Sequence, residues 1–61
     1  MYRAVYVAKN GEELVMAEGA LTENAAIEAA LDEARRHDLI GPEWPRVTED
    51  AFRAALRIDP A

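Results

Sequence analysis

Two apolar-rich runs open the chain, on either side of Lys9-Asn10-Gly11-Glu12. Asn-Gly between apolar runs is the strongest short-range hairpin signal, because a type I′ turn needs positive φ at both central residues. The pattern predicts a β-hairpin over residues 1–19. A two-residue loop at Asn10-Gly11 fixes its register. Val7 then faces Leu14 and Val5 faces Met16, with Lys9–Glu12 and Arg3–Glu18 as opposite-charge pairs at the two ends. Facing opposite charges favour that register. This face should pack on a helix. The other face carries Tyr2, Ala4, Tyr6 and Ala8 against Gly19, Ala17, Val15 and Glu13. It is either covered by a later element or left as a partner-binding surface.

The apolar period then changes from two to between three and four. Ile27, Ala30, Leu31 and Ala34 stand at i, i+3, i+4 and i+7, the stripe of an amphipathic helix. Thr22 is a good N-cap, Glu23 suits the positive end of the helix dipole, and Leu21 is placed to act as a hydrophobic staple on Ala26. Arg35, Arg36 and His37 suit the last turn, with Asp32–Arg36 as an i, i+4 pair. The predicted helix covers residues 22–38 and stops at Gly41-Pro42. Its many alanines make a narrow, shallow stripe that permits close approach to the hairpin. Leu39 and Ile40 should tuck back into the core.

Residues 41–46, Gly-Pro-Glu-Trp-Pro-Arg, read as a stiff loop, since proline fixes φ and constrains the residue before it. Trp44 inside it is either a lid on a small core or a recognition anchor. Residues 48–58 carry two patterns at once. Thr48 as cap and Phe52, Ala55 and Leu56 as a face argue for a helix. The alternation of Phe52, Ala54, Leu56 and Ile58 with Arg53, Ala55, Arg57 and Asp59 argues for a strand. Alanine content and the cap favour the helix. The expected fold is therefore a small α+β domain, ββαα, within one domain spanning 1–61. The alternative is ββαβ with a three-stranded antiparallel sheet. Asp59-Pro60-Ala61 reads as a frayed tail.

Length adds a constraint. A chain of 61 residues buries only about 60% of its unfolded surface and sits near the limit of independent folding. Cysteine is absent, so disulfides and thiolate zinc sites are excluded. Self-association or a partner is the remaining staple. Twelve acidic residues against seven basic ones leave a charge of −5. That balance argues against nucleic-acid binding, which draws most of its affinity from basic residues. It also argues against an anionic membrane surface. There is no signal-peptide h-region and no run near the length of a membrane span, so a cytoplasmic setting is expected.

Candidate chemistry is sparse. The sequence has neither serine nor cysteine, which removes those nucleophiles. Three scattered glycines cannot build a phosphate loop. Glu33 and His37 share a helix face, as a metal pair would, but no third ligand is assigned. No catalytic residue, metal or cofactor is expected. The acidic excess concentrates on the helix at Glu23, Glu28, Asp32 and Glu33, which is a solvated face or a strip for a basic partner. With Tyr2, Tyr6 and Trp44, these four are the candidate partner-binding residues.

The hairpin followed by Thr22-Glu23-Asn24-Ala25 at the head of an alanine-rich helix loosely resembles the start of HicB-type antitoxins. The likeness covers Tyr2 to Ala34 and rests on generic features. It implies a small, partial RNase-H-like domain that pairs with a toxin, but no DNA-binding tail follows. In type rather than motif, small size and acidity also resemble phage-encoded inhibitors of host defence, including anti-CRISPR proteins. The function expected from the sequence is a non-enzymatic interaction module, an inhibitor or adaptor. The alternatives are a HicB-like antitoxin fragment, or a structural homo-oligomer, such as a homodimer, with no separate partner.

Overall fold

β1 (Tyr2–Val7) is the spine of the molecule. In the computed structural model, which describes residues 1–60, it lies between β2 (Glu13–Ala20) and β3 (Leu56–Pro60). It is antiparallel to both. α1 (Glu23–Arg36) and the short α2 (Glu49–Ala54) come between β2 and β3 in the chain. The molecule is a small α+β domain with a three-stranded antiparallel sheet.

Both patterns read in residues 48–58 are used, one after the other. The Thr48 hydroxyl accepts a hydrogen bond from the Ala51 N–H and caps α2. Ala55 closes that helix, and its carbonyl accepts from the Val7 N–H as the chain turns into β3. Asp59 and Pro60, expected as a tail, pair with Arg3 and Tyr2 as part of β3. Proline is tolerated there because β3 is an edge strand. Ala61 lies outside the described residues.

The hairpin departs from its expected register. Its loop has three residues, Lys9 to Gly11, closed by the Ala8 N–H donating to the Glu12 carbonyl at 2.8 Å. Gly11 alone has positive φ, at 88°, as in a three-residue hairpin loop with a left-handed glycine. The Asn10 side chain accepts from the Glu12 N–H and stabilises the turn. One extra loop residue shifts every pair near the turn: Val7 faces Glu13, Tyr6 faces Leu14 and Val5 faces Val15. Two further irregularities bring Ala4 opposite Ala17 and Tyr2 opposite Ala20. Gly19, at φ 73°, lies within the second. The expected end pairs are replaced: Arg3 approaches Asp59 of β3 at 3.9 Å.

The helix-covered face of the sheet is consequently the tyrosine face. Ala4 packs with Ala26, Ala30, Leu31, Ala34 and Phe52, and Tyr2, Tyr6, Met16 and Ala17 border that cluster. Full burial of Leu31 and Phe52 is worth about 1.5–3 kcal/mol each. Val5 points the other way and is still 98% covered, flanked by Val15 and Arg57. The Arg57 guanidinium crosses over β1 to reach both carboxylate oxygens of Glu13 on β2, each at 3.0 Å. Its aliphatic stem accompanies it over the valines.

α1 begins as expected, with the Thr22 hydroxyl accepting from the Ala25 N–H at 3.0 Å. Leu21 does not staple it, being 81% exposed. The helix also ends earlier than Gly41-Pro42. Asp38 adopts left-handed backbone at φ 57°. The Leu39 N–H donates to the Ala34 carbonyl and the Asp38 N–H to that of Arg35. This pair of bonds is a Schellman stop, with aspartate in the place glycine usually takes.

Candidate functional site

The Schellman stop aims the chain back across the molecule and builds the base of a loop. Ile40 and Val47 form a parallel bridge, with the Val47 N–H donating to the Leu39 carbonyl and the Gly41 N–H to that of Val47. Asp38 and Arg46 close the base from outside. Arg46 Nε donates to Asp38 Oδ1 at 3.0 Å and Nη2 to Oδ2 at 2.5 Å. The Arg46 hydrogen bonds hold the Asp38 carboxyl below its ordinary range, and the same contact raises the guanidinium. Residues 41–46 are thus held at both ends, and they include the cis peptide Trp44–Pro45.

Trp44 stands out from this loop, 91% exposed. The lid role for it is not what the structure shows. Beside it the loop base, the sheet and α2 enclose an apolar hollow of about 150 Å³. Its lining is Tyr6 from β1, Leu14 from β2, Leu39, Pro45 and Val47 from the loop, and Phe52 from α2. The Tyr6 and Phe52 rings stack at 4.8 Å between centroids, 11° from parallel, which makes one wall flat and aromatic. Leu14 and Leu39 leave 53% and 39% of their surface in water. An exposed apolar group of this kind on so small a domain marks a contact site more often than an accident of packing.

The other candidate residues fall elsewhere. Tyr2 and Tyr6 are half-buried against the core rather than standing free as a pair, and Tyr6 contributes to the hollow. Half of the acidic helix face is paired within the chain. Asp32 meets Arg35 at 3.3 Å, and Glu33 meets Arg36 at 3.3 Å and His37 at 2.7 Å. The expected Asp32–Arg36 pair is replaced by these i, i+3 contacts. Arg35 reaches on to Glu49 of α2. Glu23 and Glu28 remain exposed with no ion-pair partner among the described residues. No group of three metal-ligating side chains converges among the described residues, and no helix there is long and apolar enough to cross a membrane.

Sequence reasoning missed Leu14, Leu39 and Val47 as site residues. The two-residue turn placed Leu14 on the wrong face. Leu39 read as core because both apolar residues after the helix were expected to tuck inward, whereas Ile40 packs on the core and Leu39 stays 39% exposed. The usable signal was Leu39-Ile40-Gly41-Pro42, two large apolar residues handed straight to a proline loop.

Comparison of the chain with protein-family models, with curated proteins and with solved structures finds no match.

Proposed function

We propose that this protein is a non-catalytic interaction module that contacts another protein through Trp44 and the apolar hollow beside it. The observation that supports this most is a tryptophan left 91% exposed on a loop whose base is pinned on both sides. A loop fixed at its base loses little backbone freedom on binding, and tryptophan is enriched among residues that dominate contact energies. The hollow's lining supplies one polar side-chain group, the Tyr6 hydroxyl, too little for acid–base chemistry. Inhibitor or adaptor action in the cytoplasm suits a cysteine-free chain of charge −5. Glu23 and Glu28 add long-range attraction toward a basic partner rather than a docking strip.

Capture from extracts of cells that encode the protein tests this. Wild type, Trp44→Ala and Glu28→Lys/Asp32→Lys are compared, each checked for folding by circular dichroism. Loss of the captured protein with Trp44→Ala alone is the expected result. Equal capture by wild type and Trp44→Ala refutes the role given to this patch.

A further inference from the structure

We propose that the hollow receives Trp44 of a second copy of this chain, each copy inserting its indole into the other about a twofold axis. This rests on the contact role assigned above to the same patch, and it names the occupant.

Size points to a ring. An apolar cavity of about 150 Å³ lined by aliphatic and aromatic side chains stays dry and binds benzene. This hollow has about that volume and is open to the surface, so it admits the six-membered ring of an indole and leaves the rest of the indole at its mouth. The chain has four aromatic residues, Tyr2, Tyr6, Trp44 and Phe52. Two are half-buried and Phe52 is fully buried, which leaves Trp44 as the free ring. The knob and the hole also belong to one surface, since Pro45 walls the hollow and Trp44 precedes it. A patch carrying both is self-complementary, as a twofold interface must be. Charge agrees at the ends of the patch. Glu43 travels with the knob and Lys9 stands at the hairpin turn beyond Leu14. Neither has an ion-pair partner among the described residues.

Area sets the strength. Two inserted aromatic side chains and the walls they cover remove roughly 600–1,000 Å² from water in total. Stable specific interfaces begin near about 1,200 Å². The dimer is therefore weak, with a Kd between about 10 μM and 1 mM. Each copy carries −5, so salt strengthens the association by screening net repulsion. A basic partner on the same patch would show the opposite salt dependence.

The test is sedimentation equilibrium of the full chain from about 5 μM to 2 mM, a range chosen to bracket that Kd. It is read together with emission from Trp44, the single tryptophan. The expected result is a monomer–dimer equilibrium whose indole emission shifts to the blue in step with dimer formation. Tighter association in about 500 mM than in about 50 mM NaCl is expected with it, and at least tenfold weaker association in Trp44→Ala. Three results overturn the proposal. A dimer that persists in Trp44→Ala is built from some other surface, such as the β2 edge. Blue emission independent of concentration means that each chain closes on its own indole. A monomer with water-exposed emission throughout removes the second copy, yet leaves untouched the capture result on which the broader contact role stands.

Discussion

The two ends of the core are packed by opposite means. Under α1, Ala4, Ala26, Ala30 and Ala34 are all fully buried, and side chains this small let helix and sheet approach closely. At the other end Tyr6, Leu14, Leu39, Val47 and Phe52 are far larger, yet they leave a hollow of about 150 Å³. Large side chains brought together by a loop, rather than by two regular elements, do not interdigitate into a closed layer. The difference shows where the stability is concentrated. Alanines contribute closeness but little buried area each, so Leu31 and Phe52, the two largest fully buried side chains, carry a disproportionate share.

Phe52→Ala strikes that point hardest. It removes the ring that stacks on Tyr6 and opens the hollow into the core. Such truncations cost about 3–5 kcal/mol, while a domain of this length has a total stability of roughly 3–9 kcal/mol. The variant should keep at most a few kcal/mol of stability, with a urea midpoint by circular dichroism far below that of wild type. A cooperative urea transition with an unchanged midpoint would show that the alanine end holds the fold alone.

Enlarging a side chain should act oppositely at the two ends. Ala30→Leu forces extra methylenes between α1 and the sheet and should cost about 1–3 kcal/mol. Val47→Leu points its added methylene toward the hollow and should change stability by less than about 0.5 kcal/mol. Urea midpoints of the two variants, measured at equal m-value, check this. Equal losses would mean that the hollow has no room to give.

The same contrast governs how much could be read from the sequence. Thr22, Thr48 and the Ile27–Ala34 stripe were legible because capping and helical period are local chemistry. The three-stranded alternative was legible in the alternation of Leu56, Ile58 and their neighbours. The choice of sheet face was not. It turned on whether the hairpin loop held two residues or three, and Asn10-Gly11 satisfies either, with Gly11 alone needing positive φ in the longer loop. The helix stop was misplaced because Asp38 takes a left-handed conformation that glycine usually marks. The hollow is non-local: its lining comes from β1, β2, α2 and a loop, and no spacing along the chain encodes their meeting. Trp44 was visible as a candidate anchor, but its 91% exposure is a tertiary outcome that no local pattern encodes.

Acid should weaken the fold a little through two exposed ion pairs, neither of them under α1. Hydrogen bonds from Arg57 hold Glu13 below its ordinary pKa of 4.5, and those from Arg46 hold Asp38 below 3.8. Both carboxylates release their protons more readily folded than unfolded. Their contribution is complete above those ordinary values and disappears as pH falls through the lowered folded ones. The urea midpoint should hold steady near pH 6 and drop progressively as pH falls below about 4.5. Glu13→Gln should flatten part of that drop and leave the neutral-pH midpoint nearly unchanged, because exposed pairs contribute little. A Glu13→Gln acid limb that coincides with wild type would show that the Arg57 bridge over Val5 is not felt by the fold.

The smallest effect on stability is expected from the largest side chain. Trp44→Ala removes an indole that is 91% exposed and leaves the Ile40–Val47 bridge and the Asp38–Arg46 fork in place. Its urea midpoint should match wild type to within about 0.5 kcal/mol, measured at low micromolar concentration where self-association is negligible. At millimolar concentration wild type should gain stability that the variant does not, because anything bound only by the folded form stabilises it by mass action. A Trp44→Ala loss comparable to that of Ala30→Leu at low concentration would mean that the indole rests on its own core. The contrast between a closed alanine end and an open hollow would then be wrong where it matters most.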